Sequence, residues 1–581
     1  MYTRLENHRI LIALLKKYGI KHLVLSAGQS NYPFVHSVEE DPYFTCYSVV
    51  DERSAAFFAL GIAQEVGEPV AISCTASTAC CNYYSAVVEA YYQKIPLLVL
   101  TSDRDLRRRG QLDNLTINQD EIYGGMCKKE VVLPDINSDG DRRYCVRMIN
   151  EALIELTHRD KGPVHINMPS YMKNNAVDVE ELPEVPRIYL HETKDYAEWA
   201  QKAEVLKKAK RIMVVCGQHD NFTEEEYKYM DMFHERYNCV FVGEHTANMK
   251  KPYLVNMNPI LATTSGGPLQ ALTPDVFITL GTHSQIGWFR YLQMENMGEH
   301  WSISENGALI DSINKLTDTF ECTVAEFFKY FAEAAPEQTN DKGFESAWKK
   351  ASEGVSCPEL PLSHVFAIQQ MAKRLPEEGL LHMSIQNSVR LMQYFNVSEK
   401  MKCYCNLGAL GIDGSMSTFL GQATASDKPA YLLIGDLSFF YDMNSLRIRH
   451  VKKNVHIMLQ NNGGGVEFYQ NNGNMPWLDA HTSAKHNAVA KAWAESCGFK
   501  YYEAHTKEEL MNVIDDFMGE HEQPVLLEVF TDLASDADAL RELHKVNAVM
   551  DPDHPLKACA RKLLGPKGVE LAKDVMGILR K

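Results

Sequence analysis

A carboxylate and an amide, each placed just after a strand-like run, are the residues of this chain best suited to chemistry. Asp436 follows the apolar run Tyr431–Ile434 in Gly435-Asp436-Leu437-Ser438. Asn461 follows Val455–Leu459 in Gln460-Asn461-Asn462-Gly463-Gly464-Gly465. In open α/β sheets, ligands bind at the carboxyl ends of strands. Asp436, Asn461 and the Gly463 carbonyl are hard oxygen donors of the kind Mg²⁺ prefers, and they leave room for diphosphate oxygens in an octahedron. The glycines, Gly464 among them, let backbone N–H groups approach phosphate closely. Either turn by itself reads equally well as an ordinary strand-to-helix connection, since Gly, Asp and Asn are common turn residues. The two together, at this spacing, point to a metal-diphosphate site.

Such turns need sheets beneath them, and the sequence supplies three. Short β-branched runs alternate with helical patterns along the chain, the rhythm of parallel strands joined by crossover helices. In the first third, Leu23–Leu25, Val70–Ser73, Leu97–Thr101 and Val164–Ile166 read as buried strands, with helices over Glu52–Glu65 and Ala79–Gln93. Ile212–Cys216, Val240–Val242, Val276–Leu280 and Ala308–Ile310 form a second set. Leu380–Ser384, Tyr431–Ile434, Val455–Leu459 and Val525–Val529 form a third. The Pro/Glu-rich segment Glu180–Pro186 and the two-proline stretch Glu353–Leu362 separate them. The fold class is therefore α/β, with three doubly wound parallel-sheet domains over 1–180, 187–350 and 358–550 and a helical tail over 551–581.

Composition narrows the partners. Across 581 residues, 59 Lys and Arg face 76 Asp and Glu, a net charge of −17. So acidic a surface repels phosphate backbones and argues against nucleic acid. No run reaches 18 uncharged apolar residues, and the opening MYTRLENHR lacks the apolar core of a leader, so the chain reads as cytoplasmic and not membrane-bound. The 14 cysteines are scattered without paired C-x-x-C clusters, which fits reduced thiols. Gly217 and Gly281 follow strands without completing G-x-G-x-x-G, which disfavours a nicotinamide or flavin dinucleotide. His, Cys and Asp show no zinc spacing, and no serine sits in a G-x-S-x-G elbow.

Gly435-Asp436-Leu437 followed by Asn461-Asn462 resembles the diphosphate-and-magnesium motif of thiamine-diphosphate (ThDP) enzymes, Gly-Asp-Gly and then Asn-Asn. Leu437 replaces the second glycine, as it does in one branch of that family. The chain is most similar to the menaquinone-pathway succinyl-enolpyruvyl-hydroxycyclohexene-carboxylate synthases. The matching stretches are Asp51–Gly61 (DERSAAFFALG), Cys74–Leu100, Gly162–Pro169 (GPVHINMP), Asn406–Gly414 (NLGALGIDG) and Leu432–Asn444 (LLIGDLSFFYDMN). The likeness runs from about residue 5 to about residue 535 and is weak in the middle third.

The resemblance implies a specific site. The three domains become pyrimidine-binding, central and diphosphate-binding. The cofactors become ThDP and Mg²⁺, held through Gly435, Asp436, Leu437, Ser438, Asn461, Gly463 and Gly464, with Asp436, Asn461 and Gly463 on the metal. Glu52, otherwise an acid favoured at a helix N-terminus by the macrodipole, becomes the catalytic carboxylate that hydrogen-bonds the cofactor's pyrimidine ring, a general acid–base role. Thr75, Ser77, Thr78 and Asn82 line the pyrimidine pocket, and Ile412 props the bent cofactor. The implied reaction removes CO₂ from a small-molecule 2-oxo acid and passes the remaining unit to a proton or to an acceptor. The implied assembly is a homodimer or a dimer of dimers, because in this family the Glu52 and Asp436 equivalents that meet one cofactor come from different chains.

The substrate pocket departs from that pattern. The synthases hold two anionic partners, 2-oxoglutarate and isochorismate, with several cations. Here Gln29-Ser30 stands where they carry Ser-Arg, Leu407 stands where they carry a second arginine, and Leu115 follows Asn114 where glutamine is expected. Arg390 survives, one turn after Gln386. Each lost charge-assisted contact costs about 1.5–3 kcal/mol. The expectation is a decarboxylase or carboligase for a non-standard 2-oxo acid, with the synthase itself as the alternative. A non-catalytic subunit of this fold predicts erosion of Glu52, Asp436 or Asn461, and all three are present. The run Arg107–Arg109 reads as a solvated loop.

Overall fold

The computed structural model describes residues 1–170, 176–188, 199–284, 298–311, 313, 315–335, 342–472 and 481–549. The helical tail expected over 551–581 lies outside them. Three six-stranded, fully parallel sheets follow one another along the chain. The N-terminal sheet contains β1 (His22–Leu25), β2 (Thr45–Ser48), β3 (Val70–Cys74), β4 (Leu97–Asp103), β5 (Lys129–Val132) and β6 (Val164–Pro169), in the order β2-β1-β3-β4-β6-β5. The central sheet contains β7 (Ile212–Cys216), β8 (Cys239–Gly243), β9 (Leu254–Asn256), β10 (Val276–Leu280), β11 (Glu299–Ile303) and β12 (Leu316–Phe320), in the order β9-β8-β7-β10-β11-β12. The C-terminal sheet contains β13 (Gly379–Met383), β14 (Met401–Tyr404), β15 (Ala430–Gly435), β16 (Val455–Asn461), β17 (Lys500–Ala504) and β18 (Val525–Phe530), in the order β14-β13-β15-β16-β18-β17. The first and third sheets thus share one topology.

The inner strands are legible because helices cover both of their faces, so they read as unbroken apolar runs. β3 and β4 are buried at every residue. The sequence reading fails where polarity disguises a strand. Ala308–Ile310, expected as a strand, is not one, and Leu309 is 79% exposed. The strand there is Glu299–Ile303, whose His300 and Ser302 are buried. The single helix expected over Ala79–Gln93 is two, Thr78–Asn82 and Tyr84–Gln93, broken at the buried Tyr83.

The N- and C-terminal sheets are joined through two helices, α1 (Glu52–Val66) and α2 (Ser415–Thr424). Glycines let their backbones touch. A Cβ on Gly61 would stand 2.0 Å from the Thr418 carbonyl oxygen, and one on Gly421 would stand 2.1 Å from that of Phe58. Ala55, Ala56, Phe58, Ala59 and Ile62 of α1 share one buried core with Met416, Phe419, Leu420 and Ala423 of α2. At the edge of this seam, Gln422 Nε2 donates to Gln64 Oε1 at 2.8 Å, and Gln64 Nε2 donates to Gln93 Oε1 at 2.7 Å.

Because the clash is with backbone, Gly61→Ala is expected to cost at least about 3 kcal/mol, the upper end of overpacking penalties. Thermal or denaturant unfolding measures it, and a variant as stable as the parent would contradict the close crossing.

Candidate active site

Two clusters of the expected residues form, one on each homologous sheet. The first sits at the carboxyl ends of β1 and β3. Ser30 N donates to Thr75 Oγ1 at 3.3 Å, while the Ser30 hydroxyl is buried without a partner. Ser77 is buried, Thr75 half-buried, and Gln29, Thr78 and Asn82 exposed. Asn82 Nδ2 turns back to the Thr78 carbonyl at 3.0 Å. Glu52 opens α1 beside this cluster, capped by Asp51, whose side chain accepts from Ser54 N. It is half-buried, and among the described residues no side-chain hydrogen bond ties it down. Burial raises the pKa of Cys74 and of Tyr83, and the charge of nearby Glu52 adds a small part. Asn114 lies apart, exposed on a loop.

The second cluster surrounds Asp436 at the start of the helix Asp436–Tyr441. This carboxylate is 3% exposed and collects four backbone N–H groups. Oδ1 accepts from Leu437 at 2.7 Å; Oδ2 accepts from Asn462 at 3.1 Å, Gly463 at 2.7 Å and Gly464 at 3.1 Å. Asp436 therefore fastens the end of β15 to the turn after β16. A cavity of about 110 Å³ opens there, lined among others by Gln386, Ile412, Gly435 to Ser438, Asn462 and Gly464. Ser438 Oγ donates to the Ile412 carbonyl at 2.9 Å, joining two sides of it. His486 Nε2 stands 3.4 Å from Asp436 Oδ2, and that carboxylate raises the imidazole pKa.

The expected metal-binding residues are not all placed alike around this cavity. Asn461 and Gly463 do not line this cavity; Asn462 and Gly464 do. Side chains alternate along a strand, so Asn461 faces away from Gln460 and Asn462, and its amide donates to Glu528 Oε1 at 2.7 Å and to the Ala488 carbonyl at 2.9 Å. Asn462 Nδ2 is held by Asp536 Oδ2 at 3.0 Å.

The pocket positions are also placed. Arg390 lies on the helix Asn387–Met392; its Nε is buried without a hydrogen bond, and burial lowers its pKa. Leu407 is 3% exposed and packs in the C-terminal core with Val389 and Leu391. The arginine run is solvated at Arg107 and Arg108 and tied down at Arg109. Arg109 bridges Asp103 at 2.9 Å and Asp120, while Arg107 pairs with Asp105 at 2.6 Å and Arg108 lies 3.8 Å from Asp113.

Two other regions fit the chemistry less well. A cleft of about 790 Å³ between the N-terminal and central sheets is lined by Tyr91, Tyr92, Lys94 and His283 among others, but it holds none of the motif residues. Lys94 in it is paired with Asp160 at 3.1 Å. The central sheet has the strand order of dinucleotide-binding folds. Yet the helix after β7 opens with Glu224, Glu225 and Glu226, a first turn that repels diphosphate.

Comparison with known proteins decides the family. Residues 6–122 match the model "Thiamine pyrophosphate enzyme, N-terminal TPP binding domain", and 386–529 match "Thiamine pyrophosphate enzyme, C-terminal TPP binding domain". The 2-succinyl-5-enolpyruvyl-6-hydroxy-3-cyclohexene-1-carboxylate synthase of Bacteroides thetaiotaomicron is 35% identical over 560 residues, covering 94% of this chain and 99% of the relative. That of Bacteroides fragilis is 36% identical over 561 residues, with the same coverage. The chain belongs to the thiamine-diphosphate enzymes, in the family of these synthases. The crystal structure of benzoylformate decarboxylase from Polynucleobacter necessarius shares the fold, with a TM-score of 0.70 at 16% identity over 92% of this chain and 99% of that one. Among the described residues no helix is long and apolar enough to cross a membrane.

In this thiamine-diphosphate enzyme, Glu52 is presented by a seam that carries its own buried acid. Asp442 is fully buried between the start of α1 and the start of α2. It accepts from Ser417 N and Ser417 Oγ at 2.7 Å each, and Arg53 lies 3.6 Å away. Burial pushes its pKa up to about 7. The folded chain therefore holds this proton more tightly than the unfolded one. The stability that it contributes is complete below the ordinary carboxylate range and is lost as pH rises through about 7. Asp442→Asn is expected to flatten the fall in melting temperature between about pH 4 and pH 7. An unchanged slope would contradict the assignment.

Proposed function

We propose that the protein is a ThDP- and Mg²⁺-dependent 2-oxo-acid decarboxylase or carboligase whose substrate carries less negative charge than those of the related synthases. The reading takes 1–180 as pyrimidine-binding, 187–350 as central and 358–550 as diphosphate-binding domains. The observation that carries it is the cradle around Asp436. Buried Asp436, Asn462 and Gly464 line one small cavity, and a carboxylate, an amide oxygen and a backbone carbonyl from them would make a hard-oxygen donor set that suits Mg²⁺. Asp436 fixes the turn that offers them, and Asp536 turns the Asn462 amide nitrogen aside. Bound there, ThDP supplies an electron sink for carbanion chemistry at the carbonyl carbon. Glu52, free of side-chain partners, is suited to hydrogen-bond the pyrimidine ring. Ser77, Thr75 and Thr78 border that end, and Ile412 borders the other.

The site reads as shared between two copies of the chain. The cavity around Asp436 has no lining residue from the N-terminal sheet, and about 110 Å³ is well below the roughly 300–1,000 Å³ of complete ligand pockets. Beside Glu52, Val50 is 62% exposed and Tyr441 is 58% exposed, apolar surface that a second copy would cover.

The substrate reading rests on missing cations. Ser30 offers a hydroxyl and Leu407 is committed to the core, while Arg109, Arg107 and Arg108 already face acids. Arg390 and Arg109 each keep a buried Nε without a hydrogen bond, but Arg109 is already paired with two acids, which leaves Arg390 for one carboxylate. The identity of 35–36% with the two synthases over 94% of the chain supports the second reading, the synthase reaction itself.

Asp436→Ala and Asn462→Ala are expected to abolish the thermal stabilisation given by ThDP with Mg²⁺. Asn461→Ala should lower the melting temperature of the apoprotein, because buried Glu528 loses one of its donors and keeps Tyr501 and Ala490, yet retain that response. Equal loss in Asn461→Ala and Asn462→Ala would overturn the metal assignment. For the substrate, kcat/KM with pyruvate and other small 2-oxo acids should exceed that with 2-oxoglutarate plus isochorismate. The reverse order would make this chain a synthase of the relatives' kind.

A further inference from the structure

Ser77 adopts φ 75° and ψ −131°, a conformation that disfavours every residue with a Cβ. It caps the short helix Thr78–Asn82 without a side-chain cap bond. Its backbone is held instead from both sides. The carbonyl accepts from Cys80 N at 3.2 Å and Cys80 Sγ at 2.8 Å. The N–H donates to Gln119 Oε1 at 2.8 Å.

Gln119 is fully buried and has every polar atom engaged. Its Nε2 donates to the Ser102 carbonyl and to Asn167 Oδ1, both at 3.0 Å. Asn167 Nδ2 donates to Asp103 Oδ2 at 2.9 Å, and its Oδ1 also accepts from Thr101 Oγ1 at 2.8 Å. Thr101 in turn meets His165 Nε2 at 2.7 Å, and His165 Nδ1 meets Glu130 Oε2 at 2.8 Å. Arg109 clips the segment that carries Gln119 to the sheet, through Asp120 on one side and Asp103 on the other. A continuous polar chain therefore runs from the edge strand β5 across β6 and β4 to the Ser77 peptide.

We infer that Gln119 is a positioning residue that holds Ser77 in its left-handed conformation and so sets the Thr75–Thr78 turn for the pyrimidine end of the cofactor, with Arg109 as its anchor. This rests on the proposed ThDP reading of that turn. The role needs a carbonyl oxygen at one point and no contact with the cofactor. It also gives the arginine run a task outside the substrate pocket.

The test uses the full chain with ThDP and MgCl₂ as probe. It follows the intrinsic fluorescence titration and the melting temperature of the apoprotein. Gln119→Met keeps the length and removes the acceptor; loss of one buried hydrogen bond predicts about tenfold weaker ThDP binding. Ser77→Gly takes up φ 75° without help, so Ser77→Gly with Gln119→Met should bind nearly as the parent does. Ser77→Ala with Gln119→Met should remain weak, which separates backbone strain from the hydroxyl. Gln119→Glu retains the acceptor and should bind within a few-fold of the parent even where its melting temperature falls. Parental affinity in Gln119→Met, or no rescue by Ser77→Gly, overturns the inference. Failure of the parent to bind ThDP with Mg²⁺ removes the cofactor reading and this inference with it.

Discussion

The close crossing of α1 and α2 is the constraint on which the rest of the structure depends. Two glycines, Gly61 and Gly421, allow helix backbones from the first and third sheets to touch, and the apolar residues around them merge into one core. The crossing fixes where Glu52 begins its helix. Arg53 and Ser54 are drawn onto Asp442, and Asn444 reaches Asp51, so the start of α1 is fastened to residues 441–444 of the C-terminal part of the chain. With the seam locked this way, the Asp436 cavity is bordered by its own sheet, and Glu52 is left with an open carboxylate beside exposed Val50. The same glycine contact that joins the two halves of the chain thus leaves the proposed site in two parts, which is the basis for proposing that a second copy completes each.

The chemistry is divided accordingly. The cofactor side is rigid and overdetermined, with four amides on one carboxylate and a side-chain amide steered by a second acid. The substrate side is sparse in cations. The half-buried Arg390, whose Nε has no hydrogen bond, carries a desolvation cost that an anionic ligand relieves. Leu407 and Ser30 offer no such relief, which is why the proposed substrate carries less negative charge.

Much of this was legible in the sequence, for identifiable reasons. β3, β4, β15 and β16 are covered on both faces and announce themselves as apolar runs, and the turns that follow them carry the polar clusters. The resemblance to ThDP enzymes holds over most of the chain. What was hidden depends on direction and on pairing. Asn461 and Asn462 are chemically identical and point to opposite faces of a strand buried on both, so only the fold shows that Asn462 lines the cavity. Arg109 looks like its neighbours in sequence, and its role appears only when folding brings Asp103 and Asp120 to it. Ser77 gives no sign of strain, since the residue that holds it lies on another segment. Glu299–Ile303 is masked by buried polar side chains that hydropathy reads as loop.

The central claim is that one working site draws Glu52 from one copy and Asp436 from another, and mixing two inactive chains tests it most directly. Glu52→Ala and Asp436→Ala proteins should each lack turnover of 2-oxo acids with ThDP and Mg²⁺. Co-expressed in equal amounts, they should recover about a quarter of parental activity, because half of randomly paired dimers contain one intact site of two. Recovery at that level supports a site built across the two-fold. Mixed oligomers that form and yet show no activity would place Glu52 and Asp436 in the same chain's site and contradict the account.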